Sequence, residues 1–270
     1  MPELPEVEIV RENLERWLVG RRILKASASD RRLRGRQSRA SLSRALEGAT
    51  VRSVARRGKF LLLDLGLRRK SVVAHLGMTG KFVRLGRGDA EPRYVRASIS
   101  IGRDERIVFC DARRFGQFRL LDEQEEKRLG ALGIEPLGGE LTAARLHLLA
   151  GRSRQPIKLF LMDQSKIAGV GNIHAAEALF RAGLHPEREA RSLDRRETSR
   201  LIRALRHGLT REIVRSRSES PAYLHEGSEN RFLIYGRKGE PCPRCRSTIR
   251  RLVQGGRSSY FCPSCQPEKA

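Results

Sequence analysis

Four cysteines near the end of the chain, in CPRCRSTIRRLVQGGRSSYFCPSC, restrict its fold more than any other feature. Cys242 and Cys245 form one C-x-x-C and Cys262 and Cys265 a second, with sixteen residues between the pairs. Two such knuckles suit four thiolates around one tetrahedral ion. STIRRLV and RSSYF read as strands of a hairpin that turns at Gly255–Gly256 and brings the pairs together. Zinc is the expected metal and iron the alternative. Four thiolates leave no open position, so the ion is structural, and no organic cofactor is expected. Two disulfides fit an intracellular chain poorly. The fifth cysteine, Cys110 in RIVFCD, reads as a buried strand residue. Knuckles of this kind serve many proteins, so the finger alone names no reaction.

The rest of the chain divides by the period of its apolar residues. ELPEVEIVRENLERWLVG reads as a helix, with Val7, Val10, Leu14 and Leu18 on one face and Gly20 at its end. Strands follow in TVRSVARR, KFLLLDL, SVVAHLG, YVRASISIG, RIVFCD and QFRLL, with Val95, Ala97, Ile99 and Ile101 alternating on one face. Six or more short strands in roughly 120 residues suggest a two-layer β-domain. SDRRLRGRQSR and RLGRGDAEP read as basic loops. Near Glu123 the period becomes helical through EQEEKRLGALG, TAARLHLLAG, PIKLFLMDQSK, NIHAAEALFRAG and RRETSRLIRALRHGLTREIV, with Thr142 and Asn172 as N-caps. SRSESPAYLHEGSEN, residues 216–230, reads as a polar loop. The expected organisation is α+β in three parts: a β-domain over 1–122, a helical domain over 123–234 and the finger over 235–270.

Charge narrows the partner. The 270 residues carry 55 Lys and Arg against 31 Asp and Glu, a formal +24. Such a surface attracts polyanions, nucleic acid first and an acidic membrane only distantly. No run approaches the ~20 apolar residues of a membrane span, and Glu6, Glu8 and Glu12 interrupt any signal-peptide core. A soluble, intracellular chain with nucleic acid as its partner is expected. In DQSKIAGVGNIHAAEALFRAG, the IAGVG turn leads into a helix whose first N–H groups suit a phosphate oxygen. Asn172 at that helix start can donate its amide beside it. The opening MPELPEVE adds chemistry. Pro2 is small enough for Met1 to be removed, which would expose a secondary amine beside Glu3.

Together these pieces identify a family. The chain resembles the formamidopyrimidine-DNA glycosylases of the Fpg/Nei superfamily, on the formamidopyrimidine side because Leu4 follows Glu3. The resemblance rests on PELPEVE at 2–8, RRGKFLL at 56–62, HLGMTG at 75–80, DARRFG at 111–116, PIKLFLMDQSKIAGVGNIHAAEALFRAGLHP at 156–186, YGRKGEPC at 235–242 and the finger. Their order across nearly the whole length is specific where each alone is weak. The family fold has an N-terminal helix and two-layer β-sandwich, a helical domain with a helix–two-turns–helix, and a C-terminal zinc-finger hairpin, with damaged double-stranded DNA between the domains.

The resemblance implies a bacterial-type bifunctional glycosylase and lyase. Oxidised or ring-opened purines, 8-oxoguanine and formamidopyrimidines, are flipped out and removed, and the strand is then cut by β- and δ-elimination. Pro2 is the nucleophile and Glu3 the general acid/base, with Glu6 in support. Lys59 resembles the lysine that donates a proton in β-elimination. Arg257 resembles the finger arginine that grips the lesion's phosphates; its charge matters more than any proton, since arginine is a poor donor at neutral pH. Met78, Arg113 and Phe115 match residues that fill the space a flipped nucleotide leaves. His75, Lys158 and Asn172 match positions near DNA phosphates. The stretch LTREIVRSRSESPAYLHEGSENRF departs from family wording, as do EPRYVRA, His174 for a common tyrosine, and Arg246 for a glycine after Cys245. Two alternatives stay open: a lyase that cuts abasic DNA with little base excision, and a non-catalytic nucleic-acid-binding protein on the same scaffold.

Overall fold

The structure, a computed structural model, describes residues 2–66, 71–218 and 231–268. Most of the polar loop expected over 216–230 lies outside the described residues. The chain divides into two compact units, Met1–Ala131 and Leu132–Ala270.

The first unit begins with α1, Leu4–Leu18, whose apolar stripe Val7, Val10, Leu14 and Leu18 is fully buried. Two four-stranded antiparallel sheets follow, ordered β1-β6-β7-β5 and β2-β3-β4-β8. The strands are β1 Lys25–Ala28, β2 Ser53–Arg57, β3 Phe60–Asp64, β4 Ser71–His75, β5 Lys81–Leu85, β6 Val95–Ser100, β7 Arg106–Cys110 and β8 Gln117–Leu120. One core joins α1 to both sheets: Ala97, Ile99, Ile107 and Phe109 from the first, Val54, Leu61, Leu63, Val72 and Phe118 from the second. This is the expected sandwich, and Ala97, Ile99 and Ile101 share its inner face; Val95 does not, because an irregularity in β6 between Val95 and Ala97 turns it to the other face beside Cys110. Cys110 is buried at the end of β7, against Leu85 and Val108. β1 and β5 are additional strands.

The first basic stretch is not a plain loop. It holds α2, Arg31–Arg34, and the start of α3, Arg39–Leu46, capped by the side chains of Asp30 and Ser38. The first unit also runs past residue 122. It takes in α4, Glu123–Gly130, because Arg119 of β8 pairs with the buried Glu125 and Arg128 lies over the Phe60 ring.

The second unit holds α5, Ala143–Gly151, α6, Ile157–Met162, α7, Asn172–Ala182, and the 24-residue α8, Arg195–Ser218. Thr142 caps α5 as expected, its hydroxyl accepting from Arg145 N–H. The cap of α7 is Gly171, one residue before the expected Asn172, which becomes the helix's first residue. The finger hairpin is β9, Arg250–Gln254, and β10, Arg257–Phe261, with Gln254 opposite Arg257. Its two-residue turn has Gly255 at φ +53° and Gly256 at φ +73°, a left-handed pair that side-chain-bearing residues resist. The finger packs into this unit: Ala176 and Phe180 of α7 share a core with Ile234, Cys242, Ile249 and Cys262.

Candidate active site and nucleic-acid interface

The helix that starts the chain is closed by its own acids. Glu3 is the N-cap of α1 and its carboxylate accepts the Glu6 N–H, while the Glu6 carboxylate accepts the Glu3 N–H at 2.8 Å. Pro2 and Glu3 are both buried. One turn on, Glu8 accepts from Arg56 at 2.6 Å, and the same guanidinium donates to the Gly58 carbonyl at 2.9 Å. Burial pushes the Glu8 carboxyl up, but the bonds from Arg56 and Arg11 outweigh it and hold it below the ordinary range. The ionised Glu8 thus ties α1 to the Gly58–Lys59 turn.

That turn lies at one end of the β2-β3-β4-β8 sheet. Register sets Phe60 opposite His75, and His75 opposite Gln117. Three connections therefore share this end: Gly58–Lys59, the 76–80 loop and the 111–116 loop. The last two carry the chain between the sheets, from β4 to β5 and from β7 to β8. Lys59, His75, Met78, Arg113 and Phe115 are brought together on this end.

His75 stacks on Phe60 with ring centroids 4.8 Å apart. Its Nδ1 accepts the Gly77 N–H at 3.1 Å, so the neutral ring carries its proton on Nε2. Burial, with the charges of Lys59 and Arg128 nearby, lowers its pKa to about 4. Beside Lys59, His75 is a neutral donor and not a second cation.

The two sheet-switching loops are stitched by Asp111, a residue the sequence reading passed over. Only 1% exposed, its carboxylate accepts from the Thr79 hydroxyl, from Arg113 N–H at 3.2 Å and from Gly116 N–H at 2.7 Å. Gly77 lies against the same turn at φ +62°, and a Cβ there would stand 2.5 Å from the Phe115 carbonyl carbon. The result presents Phe115 at 53% exposure, with the Arg113 guanidinium 5.1 Å from its ring centre. Met78 is half-buried. An aspartate opening a turn that closes at Gly116 was the available signal for Asp111.

In the second unit, Lys158 and Asn172 meet at one backbone carbonyl, that of Ser258, next to Arg257. Lys158 Nζ donates to Ser258 O at 2.9 Å and to the Ser259 hydroxyl at 2.6 Å. Asn172 Nδ2 donates to the same Ser258 O at 3.2 Å. Arg257, one residue earlier, is exposed. Lys158 is 0% exposed and braces the strand behind Arg257. Its burial follows from packing against the finger, which no local sequence window contains. The α6–α7 turn is fixed by Gln164, whose amide donates to Val170 O and accepts from Gly169 N–H, each at 2.8 Å.

The four cysteines form one cluster. Cys242 and Cys265 sulfurs are 3.9 Å apart, Cys245 and Cys262 3.4 Å, and Cys245 and Cys265 3.5 Å. A tetrahedral ion with metal–sulfur bonds of about 2.3 Å requires sulfur separations of about 3.8 Å. The Arg244 and Cys265 N–H groups point at the Cys242 and Cys262 sulfurs, both at 3.4 Å, as thiolate acceptors require. The cluster can hold a metal ion.

Three family models match this chain in order: the formamidopyrimidine-DNA glycosylase N-terminal domain over residues 1–118, the H2TH domain of the same enzymes over 132–221, and the zinc finger found in FPG and IleRS over 239–267. The chain is 38% identical over 272 residues to the formamidopyrimidine-DNA glycosylase of Chloroflexus aurantiacus, covering 98% of both chains. The chain belongs to the formamidopyrimidine-DNA glycosylase family. The enzyme of that name from Laribacter hongkongensis is 39% identical over 279 residues, covering 98% of this chain and 100% of the relative. Among solved structures, Lactococcus lactis Fpg in complex with DNA containing an abasic site aligns with a TM-score of 0.87 at 29% identity, over 98% of this chain and 100% of that one. MutM bound to DNA containing carbocyclic 8-oxo-G aligns equally well, at 0.87 and 29%, over 99% and 100%.

Proposed function

We propose that this member is a base-excision repair enzyme that everts and removes oxidised or ring-opened purines from duplex DNA and then cuts the strand. The observation that carries the reading is the assembly at one end of the second sheet. A lysine, a neutral histidine and an exposed Arg–Phe pair stand there on three neighbouring connections, two of them joined through Asp111, and Glu8 links the Pro2–Glu3 helix to the lysine turn.

The chemistry starts at Pro2 after loss of Met1. An α-amine has a pKa near 8, so a useful neutral fraction exists at pH 7. The amine nitrogen attacks C1′ of the everted nucleotide, the N-glycosidic bond breaks, and the base leaves with a proton. The C1′–O4′ bond then opens, O4′ taking a proton to become a hydroxyl, and the iminium so formed acidifies C2′; loss of that proton expels the 3′ phosphate. Glu3 exchanges protons with the sugar and leaving group. Its capping bond does not forbid this, because an ionised carboxylate has about four acceptor positions. Lys59 transfers a proton during elimination. Met78, Arg113 and Phe115 occupy the space left in the duplex, with Arg113 facing the orphaned base. The second unit offers a phosphate-binding surface through Arg257 and Asn172. The cysteine cluster holds one structural zinc, whose sulfur spacing supports it. The enzyme works as a cytoplasmic monomer on DNA.

Borohydride trapping tests the proposal with duplexes carrying 8-oxoguanine or an abasic site. A covalent adduct mapping to Pro2 is expected with both. No adduct with either, or a mature mass that retains Met1, defeats the mechanism; an adduct with abasic DNA alone marks a lyase with little base excision.

A further inference from the structure

Arg113 and Phe115 flank a residue that family wording leaves without a task. Arg114 sits at φ +61°, a backbone region unfavourable for a side chain of its size. Its side chain departs from the side that Arg113 and Phe115 share and reaches Asp30. Nε donates to Asp30 Oδ2 at 2.6 Å and an η nitrogen to Oδ1 at 3.0 Å, a two-pronged contact. Asp30 is itself fixed. Its side chain is 4% exposed, and Oδ1 also accepts the Arg32 N–H at 2.9 Å as the cap of α2. The bond from Arg114 first, against the cost of burial, keeps the Asp30 carboxyl below its usual range and hence ionised at neutral pH.

The 111–116 turn therefore has two anchors. Asp111 gathers its base by accepting from Arg113 and Gly116 N–H, and Asp30 holds its tip through Arg114. With the middle residue tied down on one side, its two neighbours present on the other, where they stack. A long arginine on an untethered loop would lose both backbone and rotamer freedom on meeting a base.

We propose that Asp30 is a positioning residue: through Arg114 it presets Arg113 and Phe115 to read the base opposite an everted nucleotide. This rests on the reading of Arg113 given above.

The test measures single-turnover 8-oxoguanine excision with each of the four bases opposite the lesion, for the parent, Asp30→Asn, Arg114→Ala, the double variant and Arg113→Ala. Asparagine caps a helix about as well as aspartate, so α2 keeps its cap while the charged pair is lost. The ratio between best and worst partner base should fall about threefold or more in each single variant and no further in the double, as residues acting through one contact require. Trapping on single-stranded abasic DNA, which has no opposite base, should stay at the parental value in Asp30→Asn and in Arg114→Ala, with the melting temperature lowered only slightly by loss of the charged pair. A parental ratio in Asp30→Asn or in Arg114→Ala, with Arg113→Ala having lost it, overturns the role of Asp30 alone. A ratio unmoved by Arg113→Ala, or absent from the parent, overturns the reading of Arg113 and the positioning built on it.

Discussion

His75 is the one histidine of the first unit, and its surroundings make that unit acid-sensitive in a definable window. In the unfolded chain it takes a proton at the ordinary 6.5; in the folded unit only at about 4, because the ring is buried beside Lys59 and Arg128. The folded pKa is the lower one, so the contribution to stability is complete above pH 6.5 and is lost as pH falls towards 4. The full difference is about 3 kcal/mol at ~1.4 kcal/mol per pH unit, of which about 2 kcal/mol disappears between pH 7.5 and pH 5. Carboxylates held low, such as Glu8 and Asp30, lose their contribution only at lower pH. The assay is urea unfolding followed through Trp17, the sole tryptophan, which packs on the core of the same unit. The reference is His75→Asn, whose Oδ1 can replace Nδ1 as acceptor of the Gly77 N–H while removing the titration. The parent should lose about 2 kcal/mol more than the variant between the two pH values. Parallel pH profiles for the two proteins, or a His75 resonance titrating near 6.5, would refute the reasoning.

Three further outcomes follow from single residues. Gly77→Ala forces a Cβ into the Phe115 backbone at a positive φ, so it should separate the two sheet-switching loops. Excision from duplex DNA should drop at least about tenfold, with trapping on single-stranded abasic DNA retained. Arg246 occupies φ +67° where the family's usual glycine costs nothing; Arg246→Gly should stabilise the finger by up to about 1 kcal/mol, read as slower loss of metal to a chelator. Glu3→Gln keeps an oxygen to cap α1, so melting and DNA affinity should hold while single-turnover excision falls by about 10²–10⁴.

What the sequence disclosed was whatever a short window can encode. The α1 stripe, the Gly255–Gly256 turn and the cysteine spacing each depend on neighbours within one element or one hairpin. β1 escaped because KASA has four residues and its apolar members are alanines. α2 and α3 escaped because arginines mask their caps, although Asp30 before RRLR and Ser38 before RASL are ordinary start signals. Site residues on motif loops were legible by type, but not by arrangement. No local pattern tells that Lys158 turns inward to Ser258, a hundred residues on, or that Asp111 binds two turns into one.

The distribution of acids gives the excess of cations its meaning. A chain made basic merely for solubility would scatter its carboxylates among surface arginines. Here the buried acids Glu3, Asp30, Asp111, Glu125, Glu177, Glu197 and Glu212 are each committed to structure. Glu3 and Asp30 close helix starts, and Asp111 and Glu177 gather backbone N–H groups. Glu125, Glu197 and Glu212 fix Arg119, Arg188 and Arg231. A buried carboxylate is tolerated only with such partners. Committing acids inward shapes the loop that bears Arg113, while Lys158 braces the strand that bears Arg257, and both arginines stay exposed. Loop geometry is then set by low-dielectric contacts that salt screens weakly, while DNA affinity rests on exposed charge that salt screens strongly. Raising salt should therefore weaken DNA binding steeply and leave the rate of excision from already bound duplex nearly unchanged.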